Sequence, residues 1–98
     1  MSFTSRVEFL GHPGVGRQLA AGDTSANTAL TAGIYRISMR AVGADIRFAI
    51  GQGAQTATAT SPFIADGERL DFAITNGANI AILRAGSTNG VLELTELG

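Results

Sequence analysis

From Gly33 to Leu97 apolar and polar side chains alternate, and turn dipeptides interrupt the alternation at a spacing of roughly ten residues. A period of two suits only a half-buried strand, because successive side chains leave a pleated backbone on opposite faces. Tyr35, Ile37, Met39 and Ala41 share one face against Arg36, Ser38 and Arg40. Ile46, Phe48 and Ile50 oppose Asp45, Arg47 and Ala49; Leu70, Phe72 and Ile74 oppose Arg69, Asp71 and Ala73. Ile80 and Ile82 continue the inner face, and Leu92 and Leu94 close it against Glu93 and Thr95. No stretch carries a helical period. The pattern predicts an all-β fold, an antiparallel β-sandwich or small barrel that is jelly-roll-like, with about six to eight short strands.

The punctuation is Gly43-Ala44, Asp66-Gly67, Asn76-Gly77 and the run Gly86-Ser87-Thr88-Asn89-Gly90. Asp-Gly and Asn-Gly are hairpin dipeptides, so type I′ hairpin turns are expected at residues 66–67 and 76–77. Gly51 to Ser61 reads as a small-residue connection whose Gln55–Thr60 portion runs extended.

The first third is less regular. Phe3, Ser5, Val7 and Phe9 alternate with Thr4, Arg6 and Glu8, a strand signature. Gly11-His12-Pro13-Gly14-Val15-Gly16 breaks regular structure, Gln18–Ala21 suits one helical turn or a short edge strand, and Gly22–Thr28 reads as loop. The expected organisation is one domain, 1–98, in which 1–31 is a strand plus a long loop serving as a contact arm and 33–97 forms the antiparallel strands.

Composition narrows the chemistry. Hydrophobic residues make up 45% of the chain and charged residues 15%, against a usual charged share of about 25%. A small domain with so little charge has apolar surface to bury, and a contact between subunits is a natural place for it. There is no cysteine, so neither disulfides nor thiolate metal sites arise. All seven basic residues are arginine, which removes Schiff-base and phosphate-loop lysine chemistry. A net charge of −1 does not make a nucleic-acid footprint, although Arg36, Arg40 and Arg47 on consecutive strands could share a face. No apolar run is long enough for a membrane helix, and the N-terminus lacks a secretory pattern.

Motifs with catalytic potential fail at their chemical positions. Gly11–Gln18 has phosphate-loop glycine spacing, but Arg17 stands for the lysine and Gln18 for the magnesium-binding hydroxyl. His12 is the sole histidine, and no spacing gathers metal ligands or a nucleophile around it. Ser38 and Ser61 lie outside any nucleophile elbow. Asp45, Asp66, Glu68 and Asp71 are the acids available for paired work, two of them beside a turn where acids are ordinary. Tyr35 falls on the predicted inner face, where core packing is its expected role.

Ala29-Leu30-Thr31-Ala32-Gly33-Ile34-Tyr35-Arg36-Ile37, Gly43-Ala44-Asp45-Ile46-Arg47-Phe48-Ala49-Ile50-Gly51, Ala57–Ile64 and Ile64–Phe72 together resemble small all-β virion proteins encoded in tailed-phage structural modules. Met1–Thr28 contributes nothing to the likeness. The resemblance implies a structural virion component, foremost a capsid decoration (cement) protein, with head fibre or tail component as variants. It implies no enzyme, no cofactor and no catalytic residue. The implied partners are further copies of the chain, as a homotrimer or other symmetric oligomer, and the major capsid protein or another virion protein. Neither nucleic acid nor membrane is implied, and the location is the virion, assembled in the host cytoplasm. A glycan-binding β-sandwich module is the alternative, and an enzyme comes third. Expected interface residues are Phe3, Arg6, His12, Val15, Arg17 and Leu19, with no catalytic, cofactor or metal site.

Overall fold

The computed structural model describes residues 13–97 as eight strands and no helix. They are β1 (Pro13–Ala21), β2 (Ala26–Ala29), β3 (Arg36–Val42), β4 (Ile46–Gln52), β5 (Phe63–Ile64), β6 (Arg69–Ala73), β7 (Ala78–Arg84) and β8 (Gly90–Leu97). Two four-stranded antiparallel sheets result, sheet I in the order β1-β8-β3-β6 and sheet II in the order β2-β7-β4-β5. This interleaving is the jelly roll: an eight-stranded sandwich in which the chain passes from one sheet to the other at almost every connection.

The alternation read from the sequence sets the inner faces. Ile37, Met39, Ala41, Leu92 and Leu94 line sheet I from within; Ile46, Phe48, Ile64, Ile80 and Ile82 line sheet II. Phe48 and Phe72 meet across the gap as a tilted ring pair with centroids 5.6 Å apart. Tyr35 departs from its expected place in the core. It precedes β3, beyond the end of the sheet, and is 58% exposed.

The turns also differ from expectation. Among the described residues none other than glycine has positive φ, so the type I′ turns expected at Asp66-Gly67 and Asn76-Gly77 are absent. Instead Glu68 N–H donates to Ala65 C=O (2.8 Å) and Ala78 N–H to Thr75 C=O (3.2 Å), with Gly67 at φ 82° and Gly77 at φ 76° in the third position. That is the type II pattern. The reason is topological: β5–β6 and β6–β7 join strands of opposite sheets. These turns are corners, not hairpins, and need no primed-turn twist. Gly77→Ala is therefore expected to cost about 1–2 kcal/mol in urea unfolding. Gly86→Ala, with open space around it and no positive φ, should cost well under half of that.

The corners are tied in pairs by side chains. Asn76 Oδ1 accepts from Gly33 N–H (2.6 Å), clasping the β2–β3 and β6–β7 corners. Asp66 Oδ1 accepts from Gly43 N–H (2.8 Å), and Asp45 Oδ1 accepts from Asp66 N–H (2.8 Å), clasping β3–β4 to β5–β6. Glu68 Oε1 accepts from Ala65 N–H (2.9 Å). Three of the acids considered for paired catalysis thus serve the corners.

The expected long loop within 1–31 is largely strand. Pro13–Ala21 pairs with β8 through a register shift between Pro13 and Gly16, and Ala26–Ala29 pairs with β7. Both are edge strands, which hide one backbone edge only and so form from small and polar residues that a central strand would not accept. The extended run expected at Gln55–Thr60 lies outside the strands. The connection between β4 and β5 is instead fastened to the β2 side of sheet II. Gln55 N–H donates to Asn27 Oδ1 (2.8 Å) and Ala57 N–H to Ser25 Oγ (2.9 Å). Ala81, which faces away from the core on β7, is fully buried, as this cover requires.

Candidate interaction surface

Three features outside the plain apolar core could carry function: an inward-facing polar cluster, the outer face of sheet I, and an opening between the sheets.

The polar cluster begins with register. Arg17 lies opposite Leu94 on β8, so it shares the inner face with Leu19 and Ala21. Glu96 falls in step with Leu92 and Leu94 and is 0% exposed. Its carboxylate accepts from Thr31 N–H (2.7 Å) and the Thr31 hydroxyl (2.8 Å), and the Arg17 guanidinium lies 3.6 Å away. Arg17 Nη2 also donates to Thr31 Oγ1 (3.1 Å), while its buried Nε finds no partner among the described residues. The cluster joins β1, β8 and the β2–β3 corner. Apart from that Nε its polar groups are spent on one another, which is structural work.

The outer face of sheet I follows from the pairing register. One row, Gln18, Glu93, Arg40 and Arg69, is polar or charged. One flanking row, Ala20, Val91 and Val42, is small and apolar; the other, Thr95, Ser38 and Asp71, is polar, and beyond it lie Leu97, Arg36 and Ala73. Val42 is 40% exposed. Near the Leu97 row lies a depression of about 430 Å³ walled by Leu97, Ala73, Arg36 and Asp71 and floored at Ser38. Arg69 Nη1 donates to Ser38 Oγ (3.0 Å). No described segment covers this face, in contrast to sheet II.

The third feature arises because β5 is only two residues long and pairs only with Ile46 and Arg47. Phe48 N–H still reaches Pro62 C=O (2.9 Å), but beyond it no described strand pairs with the β4 edge. A slot of about 700 Å³ opens there, bounded by Phe48, Ile50, Pro62, Phe72 and Ile74. Gln52 closes one end by donating to Thr75 Oγ1 (2.5 Å) and Asn76 C=O (3.0 Å).

Of the residues expected at an interface, Phe3, Arg6 and His12 lie outside the described residues, and so does the side chain of Val15. Arg17 and Leu19 are half-buried and face inward. The arginines of β3 and β4 do not gather: Arg36 and Arg40 lie on the outer face of sheet I, while Arg47 lies on that of sheet II, its guanidinium 5.1 Å from the centroid of the Phe63 ring. Among the described residues no three histidine, cysteine or acidic side chains are placed to share a metal ion. The sequence reading missed buried Glu96, the bare sheet I face and the slot.

No family model matches the chain, and no curated protein matches it. Among solved structures it is similar to a de novo designed double-stranded β-helix determined by solution NMR, with a TM-score of 0.59 and 16% identity over 85% of this chain and 99% of that one. At that identity the likeness is one of fold. The class so defined is an all-β protein of two packed antiparallel sheets.

Proposed function

We propose that this chain is a non-enzymatic structural protein of a tailed-phage virion, of the capsid decoration type, which works as a homo-oligomer bridging neighbouring shell subunits. The observation that carries the reading is the asymmetry of the two outer faces. The β4–β5 connection covers sheet II, whereas sheet I presents Val42, Leu97 and Ala73 among polar and charged side chains that no described segment covers. Apolar side chains set among polar ones, with arginine prominent, suit a protein–protein interface. The low charge content and the resemblance of Ala29–Phe72 to small virion proteins point the same way. Several weak contacts joined in one oligomer would hold adjacent subunits by avidity. Head-fibre and tail components use the same surface logic.

The test is size-exclusion chromatography with light scattering, followed by co-sedimentation with undecorated capsid shells. A symmetric oligomer, a trimer first of all, that pellets with shells is expected. A monodisperse monomer that stays in the supernatant refutes the proposal. One observation favours a second reading, a glycan-binding module: Tyr35 is 58% exposed, next in sequence to Arg36 at the edge of the depression. Binding on a glycan array that is lost in Tyr35→Ala would decide for it.

A further inference from the structure

We infer that the slot between β4 and β6 is a strand-docking site, and that its occupant is the alternating segment Phe3–Phe9 of a neighbouring copy; the inference rests on the homo-oligomeric reading above. The slot has the shape of a missing length of strand. One wall is the β4 edge. Phe48 N–H points to the β5 side, so by the alternation of an antiparallel ladder the N–H and C=O of Ile50 point the same way, where no described strand pairs with them. An extended peptide laid there satisfies both groups. The floor is apolar, made by Phe48, Phe72 and Ile74, and receives every second side chain of such a peptide. A globular partner would not enter a slot closed at one end by Gln52 and bounded at the other by Pro62.

The chain carries a matching alternation in its sequence. Phe3, Val7 and Phe9 suit the floor, while Arg6 and Glu8 would stay in water. The register shows which copy supplies it. Pro13 pairs with Leu97, Leu97 with Arg36 and Arg36 with Ala73, so the start of β1 lies three strands from the slot at the same end of sheet I. Crossing those strands takes about 14 Å, and rounding β6 to reach the β4 edge takes about 10 Å more. The link from Phe9 to Pro13 spans about 14 Å fully extended, and that from Val7 about 20 Å. Taken directly, the two perpendicular steps of that path amount to about 17 Å, so within one molecule Phe9 falls short and the alternating stretch cannot lie in the slot whole. Between molecules the whole alternating stretch can, and exchange of such strands around a ring closes a symmetric oligomer.

The native chain has no cysteine, so introduced thiols report without background. Full-length Ser5→Cys and Ile74→Cys variants, mixed under mild oxidation, are expected to yield a disulfide between the two different chains, identified by mass, and the double variant a ladder of covalent multimers. A link formed only within single chains of the double variant, or no link in protein that light scattering shows to be oligomeric, overturns the docking assignment and leaves the oligomeric reading standing. A monodisperse monomer overturns both. As a second measurement, Val7→Asp should weaken assembly at least about 100-fold, and Glu8→Gln should leave it unchanged; undiminished assembly in Val7→Asp also overturns the inference.

Discussion

Glu96→Ala is expected to be the most damaging single change outside the apolar core, costing about 3 kcal/mol or more in reversible denaturation. The carboxylate is fully buried, accepts two hydrogen bonds, from Thr31 N–H and the Thr31 hydroxyl, and forms an ion pair at 3.6 Å with the Arg17 guanidinium. Its removal leaves the Thr31 N–H and hydroxyl without their acceptor and the Arg17 charge without its partner, and an unpaired buried donor costs about 1–3 kcal/mol by itself. The Arg17 side chain is 29% exposed, so its Coulombic share is discounted for solvent screening and most of the loss falls on the Thr31 bonds. For a domain of this size a loss of about 3 kcal/mol lowers Tm by roughly 12–24 °C. Glu96→Gln keeps an acceptor for Thr31 and should lose less than half as much. The pair Arg17→Met with Glu96→Leu removes both charges but leaves Thr31 N–H without its acceptor, so it should recover only the smaller, ion-pair share of the loss. If Glu96→Ala lowers stability by less than about 1 kcal/mol, the cluster does not hold the β2–β3 corner.

Glu96 also marks where local pattern stops informing. The alternation on β8 places it in step with Leu92 and Leu94, but a carboxylate ends an apolar pattern by residue type. Only the fold reveals that Arg17 and Thr31, distant in sequence, meet it inside the sandwich. The strand interiors were legible for the opposite reason. Ile37, Met39, Phe48, Ile80 and Leu94 sit at period-two spacing, and that spacing alone decides which face they bury. The edge strands were not legible. β1 and β2 turn Arg17 and Thr28 toward the inside and need partners on one side only, so their composition resembles loop. Strand order was likewise hidden, because Asn76-Gly77 is equally good chemistry for a hairpin and for the corner that it makes. The bare outer face of sheet I depends on where the β4–β5 connection lies, which Asn27 and Ser25 determine through Gln55 and Ala57.

Ala73→Arg should weaken self-association or shell binding by at least about 100-fold while leaving the fold intact. Ala73 is exposed on an edge strand, where a surface substitution shifts stability by about 0.5 kcal/mol or less. It lies in the row of Leu97 and Arg36 and walls the depression, so a long cation there both fills the hollow and stands beside an existing arginine. A partner seated on this face would have to desolvate two like charges, and such a juxtaposition costs several kcal/mol. Ala54→Arg supplies the contrast, since Ala54 is exposed on the connection attached over sheet II. Light scattering across a dilution series, with urea unfolding on the same samples, separates assembly from stability. Loss of mass in Ala73→Arg with unchanged unfolding locates the contact on sheet I. If Ala54→Arg dissociates the assembly and Ala73→Arg does not, the working surface is the covered sheet, and the asymmetry between the two faces has the opposite meaning.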